Sequence, residues 1–152
     1  MTDFAFETVA QWRDDILPLL QQHWEEVALH REGRPLEPDW AKYEAMDAAG
    51  RLATITVRKA GVLVGYAVFF IDQHIHYMGT RVAINDVVFL RKDCRGLVGA
   101  KLLMNSEVLL QARFPGRLHI LWHIKPHLDW SDVMRRLGYR QEEIVMGKMV
   151  GG

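Results

Sequence analysis

The run GVLVGYAVFFI, residues 61–71, is the longest apolar stretch of the chain. It falls far short of the ~20 residues that span a bilayer. Its apolar surface must be covered by protein, and it reads as a buried strand. The segment before it, RLATITVRK, alternates, with Leu52, Thr54 and Thr56 on one side and Ala53, Ile55 and Val57 on the other. That is the period of a strand. Residues 58–61, RKAG, supply a turn, so the two segments read as a hairpin. HIHYMGT follows as a connection or strand end, and RVAINDVVFL is the next strand.

Helical spacing appears on both sides of this block. Thr8 stands where an N-cap would, before Val9, Trp12, Ile16, Leu19 and Leu20. Pro18 predicts a kink or break, with a second helical piece in QQHWEEVALH. A polar loop, REGRPLEP, leads to DWAKYEAMDAAG, where Asp39 is the N-cap or a first-turn acid and Gly50 the stop. After the third strand come a charged turn, RKDC, then Arg-Gly-Leu-Val-Gly-Ala, then the helix AKLLMNSEVLLQA, ended by Phe114, Pro115 and Gly116. RLHILWHI is a strand with Leu118, Ile120 and Trp122 on one face. SDVMRRLG is a short helix capped by Ser131 or Asp129 and stopped by Gly138, and YRQEEIVMGKMV is a last strand. Helices, three strands, helix, strand, helix, strand make an α/β sandwich of mixed pairing.

The chain of 152 residues reads as one domain over residues 1–152, large enough for a core without staples. Its 19 basic and 19 acidic residues cancel, which gives no general attraction for nucleic acid or anionic lipid. The single cysteine, Cys94, cannot close an internal disulfide, which fits a reducing compartment. The first residues, MTDFAFETV, lack the basic start and apolar run of a signal peptide. No repeat or low-complexity tract appears.

The handover from strand to helix, FLRKDCRGLVGAKLL, carries the chemistry. At a helix start several N–H groups have no intrahelical partner, and the peptide dipoles add positive charge. A phosphate can be held there without a dedicated cation. Glycine lets backbone approach closely, and Arg95 can add a charge-assisted contact. The alternative is a loop that uses Gly96 and Gly99 for packing. Neither G-x-G-x-x-G nor G-x-x-x-x-G-K-[ST] is present, which argues against dinucleotide and Walker-type sites.

Strand, RGLVGA, helix, LHILWHI, RRLGY and a last strand together resemble the GNAT acyl-CoA N-acyltransferases over nearly the whole chain. That family's phosphate loop is Q/R-x-x-G-x-G/A. Counted without a gap, Arg95 is the first position, Val98 stands at the first glycine and Ala100 at the last; with a one-residue deletion Gly99 becomes a motif glycine. HWEEVAL, PLEPDW, LVGYAVFF and HIHY resemble the small GNAT-like proteins of phage and prophage genomes. The resemblance implies a central mixed, mostly antiparallel sheet flanked by helices, with two parallel strands, INDVVFL and HILWHI, splayed apart. It implies acetyl-CoA as co-substrate, no metal, and a primary amine as acceptor. The pantetheine arm would lie along Val88, Phe89 and Leu90. The diphosphate would sit on Arg95, Gly96, Leu97, Val98, Gly99, Ala100 and Lys101, with His127 where many members place an asparagine. A cytoplasmic protein (host cytoplasm if phage-encoded) and pairing of two copies follow from the same resemblance.

Direct acyl transfer needs a base for the amine and relief of charge at the reacting carbonyl or thiolate. Asp86, sharing a face with Val88 and Leu90, is the first candidate base; a loop-capping carboxylate is its plain alternative. His74 and His76, on one face if strand-borne, are further candidates, with Tyr77 beside them facing substrate. Two histidines without nearby Cys or carboxylate are not a metal site. His23 and Glu26 share a helix face in the region that lines acceptor sites in the family; residues of an amphipathic helix surface are the plain alternative. His119 and His123 share a face of the strand by the gap, with His123 toward substrate. Many members use a tyrosine to protonate the thiolate; Met134 stands at that position here, with Tyr139 in the next segment. Cys94 reads as structural. The competing readings are a GNAT-fold module that binds acyl-CoA or a protein without chemistry, and a nucleic-acid binder, against which the neutral charge speaks.

Overall fold

In the computed structural model the described residues are 1–27 and 35–151. Eleven short elements build one sheet with helices on both faces. They are β1 (Thr2–Glu7), α1 (Val9–Val27), α2 (Trp40–Ala48), β2 (Leu52–Lys59), β3 (Val62–Gln73), β4 (Thr80–Leu90), a 3-10 turn (Lys92–Cys94), α3 (Leu97–Arg113), β5 (Arg117–Leu121), a second 3-10 turn (Pro126–Leu128) and α4 (Ser131–Arg136). The sheet order is β1-β2-β3-β4-β5, antiparallel except for the parallel pair β4–β5. The mixed, mostly antiparallel sheet read from the sequence is present.

β3 is apolar on both faces because both are covered. Val64, Ala67, Phe69 and Ile71 join Ala53, Ile55, Leu102 and Leu110 under α3. Leu63, Tyr66 and Val68 join Val9, Trp12, Ile16 and Leu19 under α1, with Trp40, Tyr43 and Met46 of α2 packed beside them. Such a strand shows no in–out alternation of polarity.

Three expectations need correction. Residues 2–7 form a strand that went unread: β1 pairs with β2 from Thr2↔Lys59 to Glu7↔Thr54. Pro18 does not divide the first helix; α1 runs through it. Val9, Trp12, Ile16, Leu19 and His23 anchor the helix to the sheet, while Pro18 is exposed, so the carbonyl it leaves unpaired can meet water. The expected second piece, residues 21–30, continues α1 to Val27; its end and most of the loop before Pro38 lie outside the described residues. The last segment, residues 139–151, forms no strand. Ile144, Val145, Met146 and Val150 are exposed, so no sheet face rewards pairing. Side chains tie the segment down instead: Tyr139 donates to Glu107, and His119 meets Glu142 at 2.7 Å.

The other boundaries follow the sequence signals. Asp39 caps α2 by accepting from the Lys42 N–H at 3.0 Å. Asp129 accepts from the Ser131 N–H ahead of α4. Gly65 lies against β4, where an added Cβ would come within 2.8 Å of the Phe89 carbonyl and 2.7 Å of Leu90 Cδ1. Backbone cannot yield there as a flexible side chain could. Gly65→Ala is therefore expected to lower stability by about 1–3 kcal/mol, read from the midpoint of urea unfolding; an unchanged midpoint would show that β3 and β4 are not this close.

Candidate active site

Strands β4 and β5 pair only from Thr80↔Arg117 to Ile84↔Leu121. Beyond that β4 continues to Leu90 with no strand on that side among the described residues. Asn85 marks the parting point. Its amide donates to the His123 carbonyl at 3.2 Å, and its side-chain oxygen accepts from the His123 N–H. One side chain, 6% exposed, thus replaces the next rungs of the ladder and satisfies its own buried polar atoms. The strands splay after it, as the resemblance implied for INDVVFL and HILWHI.

The residue after Asn85 is displaced by a bulge. Val87 pairs with Val68 but Asn85 with Phe69, so Asp86 is the extra residue of β4. A strand shifted by one residue changes face. Asp86 therefore does not share a face with Val88 and Leu90, which pack toward α3. It turns toward α2, where Tyr43 donates to its carboxylate at 2.8 Å. Desolvation pushes the Asp86 carboxyl above its ordinary value, while the Tyr43 hydroxyl, Lys125 and Lys42 pull it back. Tyr43 itself is pushed well above a free phenol by burial and by the facing carboxylate. Tyr43 is held in place through α1: the Asp47 carboxylate accepts from the Val9 N–H at 2.8 Å, Glu44 pairs with Arg13, and Trp40 and Tyr43 pack on Trp12.

At the open end of β4, Arg95 is extended and Gly96 has φ 93° and ψ −123°, a conformation that L side chains avoid. The Arg95 N–H bonds to Lys92 and the Ala100 N–H to Gly96. The N–H groups of Gly96, Leu97, Val98 and Gly99 take no backbone partner among the described residues. The expected row of amides, 95 to 101, narrows to these four. A Cβ on Gly99 would meet only Leu90 Cδ2 at 3.8 Å, an ordinary contact. Packing inside the chain does not require glycine there. The loop thus has donors that an anion such as a diphosphate would need: four N–H groups at a helix start without a backbone partner among the described residues. Arg95 is not free to serve it, because its guanidinium is bonded to the Leu90 carbonyl and to the Glu26 carboxylate.

The remaining candidates fall in several places. His23 is no surface residue: it is 5% exposed, hydrogen-bonded to the Tyr66 hydroxyl and stacked on Phe89 at 4.9 Å. Burial lowers its pKa to about 4, against a smaller opposing effect of Glu26. Glu26 faces Arg95 and Lys92 rather than open solvent. His74 and His76 lie in the β3–β4 connection, not on a strand. Their rings, with Tyr77, form a cluster 4.6–6.5 Å apart, at the end of β4 opposite the loop. His123 contacts Glu143 at 3.3 Å, and His127 reaches the Glu26 carbonyl at 3.2 Å. Met134 is buried, and Tyr139, pushed up to about 12 mainly by burial, is bonded to Glu107. Cys94 is buried. Among the described residues no helix is long and apolar enough to cross a membrane. Tyr43 and Asn85 carry no motif; the one signal was an Asn inside an apolar strand, which needs partners if buried.

Comparison with solved structures decides the architecture. A ribosomal-protein-alanine N-acetyltransferase from Brucella melitensis biovar Abortus 2308 superposes with TM-score 0.68 at 18% identity, covering 100% of both chains. The fold is that of the GNAT acetyltransferases. AAC(6')-Iy, in complex with the bisubstrate analogue CoA-S-monomethyl-acetylneamine, shares this GNAT fold with TM-score 0.71 and 19% identity, over 100% of this chain and 99% of that one. Glucosamine-6-phosphate N-acetyltransferase from Arabidopsis thaliana does so with TM-score 0.72 and 13% identity, over 99% of each chain. No family model matches the chain, and no curated protein matches it.

The buried His23 has a measurable consequence. Its pKa falls from 6.5 to about 4 on folding, so the unfolded chain binds more protons between these values. Its contribution is present above pH 6.5 and lost as pH falls through about 4. The loss amounts to about 3 kcal/mol. His23→Phe, which keeps the ring stack, is expected to flatten the pH dependence of urea stability in that window; an unaltered slope would remove His23 as its source.

Proposed function

We propose that the chain is an acetyl-CoA-dependent N-acyltransferase acting on a primary amine by direct attack. The observation that carries this is the splay of β4 from β5, which opens onto four free N–H groups at one end and the Asp86 carboxylate along its length. The fold shared with a protein that holds a CoA bisubstrate analogue supports the same co-substrate. The N–H groups of Gly96, Leu97, Val98 and Gly99 would hold the diphosphate, and the open backbone edge of β4 near Val88, Phe89 and Leu90 the pantetheine arm. Acetyl-CoA would supply an activated thioester carbonyl.

Asp86 is the base in this reading. An amine is mostly protonated at neutral pH and must lose a proton before it attacks. A carboxylate lifted above its ordinary range takes that proton more readily than one at its ordinary value. Tyr43 orients it and keeps it ionised. His74, His76 and Tyr77 have no part in this step, since they sit at the far end of β4. The thiolate leaves without a tyrosine: Met134 cannot donate a proton, and Tyr139 is bonded to Glu107. A thiol of pKa ~8.5 permits this. The same two residues favour the second reading, a module that binds acyl-CoA and does no chemistry. A reducing cytoplasm suits both.

Calorimetry with acetyl-CoA tests the site, and release of free thiol across an amine panel tests the chemistry. Wild type is expected to bind acetyl-CoA, and Gly99→Glu, which brings an anion to the free N–H groups, to lose binding; equal binding by both would place the ligand elsewhere. Asp86→Asn is expected to lower kcat/KM at least ~100-fold. Tyr43→Phe removes a donor that favours the carboxylate, so the acidic limb of the pH–rate profile should move to higher pH. Full turnover in Asp86→Asn would dismiss it as the base, and a failure of every amine in the panel to release thiol would leave the binding module as the better reading.

A further inference from the structure

Glu26 stands where an anionic ligand would be sought. Its carboxylate meets Arg95 Nη2 and lies 3.6 Å from Lys92 Nζ, the two cations just ahead of α3. Its side chain is only 13% exposed. Partial burial works against its charge, but Arg95, Gln22 and Lys92 outweigh it and hold the carboxyl below its ordinary range. The contact is braced from both sides. On α1, the Glu26 carbonyl meets His127, and His23 one turn earlier is fixed between Tyr66 and Phe89. On the loop, Arg95 bonds the Leu90 carbonyl at 2.8 Å and lies over the Phe89 ring.

We propose that Glu26 is a built-in counter-ion of the loop, which competes with the diphosphate of CoA for Arg95 and Lys92. This rests on the CoA reading above. Two anions beside the same pair of cations repel each other, so a diphosphate settling at residues 96–99 displaces the carboxylate or binds against it. The ligand has an advantage that Glu26 lacks: it also reaches the four free N–H groups. When it binds, the last turn of α1 is released from the loop.

Glu26→Gln keeps the shape and removes the charge. CoA is titrated calorimetrically into wild type and variant at several salt concentrations, and amide hydrogen exchange of residues 91–100 is followed in the ligand-free proteins. The expected result is CoA affinity raised about 10-fold in Glu26→Gln. Salt dependence should be steeper, since cations no longer neutralised from within gather solution counterions that the ligand must release. Exchange of residues 91–100 should be faster. Wild-type binding with unchanged or weaker binding by Glu26→Gln would overturn the competition and leave the CoA reading standing. No binding by either protein would overturn both. Unchanged exchange would show that Glu26 does not restrain the loop.

Discussion

The double hydrogen bond from Asn85 to the backbone of His123 is the interaction on which the site depends. Parallel strands normally continue to pair until one of them ends. Here a side chain takes over the two backbone groups that the next rung would have used. β4 is then free to diverge, and the bulge directly after Asn85 turns Asp86 onto the α2 face. A strand that leaves its neighbour exposes backbone donors and acceptors, and only a structure that compensates at the fork keeps them in order. Splay, bulge and carboxylate are consequences of one locally satisfied amide.

The same logic explains why helix α2 matters although it buries little. It has no fully buried residue, yet its polar side chains meet α1 at fixed points. Asp47 satisfies the N–H of Val9, at a helix start where free donors welcome an anion. Glu44 and Arg13 are paired at the surface, a contact of small energetic weight. What these contacts provide is direction: they set the rotation of α2, and so the reach of Tyr43 toward Asp86.

Much of the fold was legible because the middle of the chain obeys simple periods. β2 alternates, β3 is apolar throughout, α3 lies between a glycine and Phe-Pro-Gly, and Leu118 and Ile120 of β5, with Trp122 just beyond its end, do fall together on the core side. β1 was hidden because TDFAFE is short and abuts a helix cap, so the helical pattern after it dominates. Pro18 was misread because a residue-level rule ignores which side of a helix faces water. The apolar end of the chain reads as a strand, yet pairing depends on a neighbour that the local sequence does not contain. At the site, the residue type of Asp86 and the free amides of the loop were legible. The face of Asp86 was not, because a bulge leaves no period to read. His23 was misplaced because a histidine on an amphipathic helix looks like surface until Tyr66, 43 residues away, is brought to it.

Sheet order equals chain order: each strand lies beside the one that precedes it. A nascent chain can therefore add β1 through β4 one after another as they emerge, each onto an edge already made. The last addition is different. β5 arrives only after α3 has been synthesised, and it joins in parallel, across a long loop whose closure is slow. Until then β4 is the open edge, and it is the strand that holds Asn85, the bulge and Asp86. The part of the molecule built to stay partly unpaired in the finished protein is also the part left longest unpaired on the ribosome, where an exposed edge invites pairing with other chains.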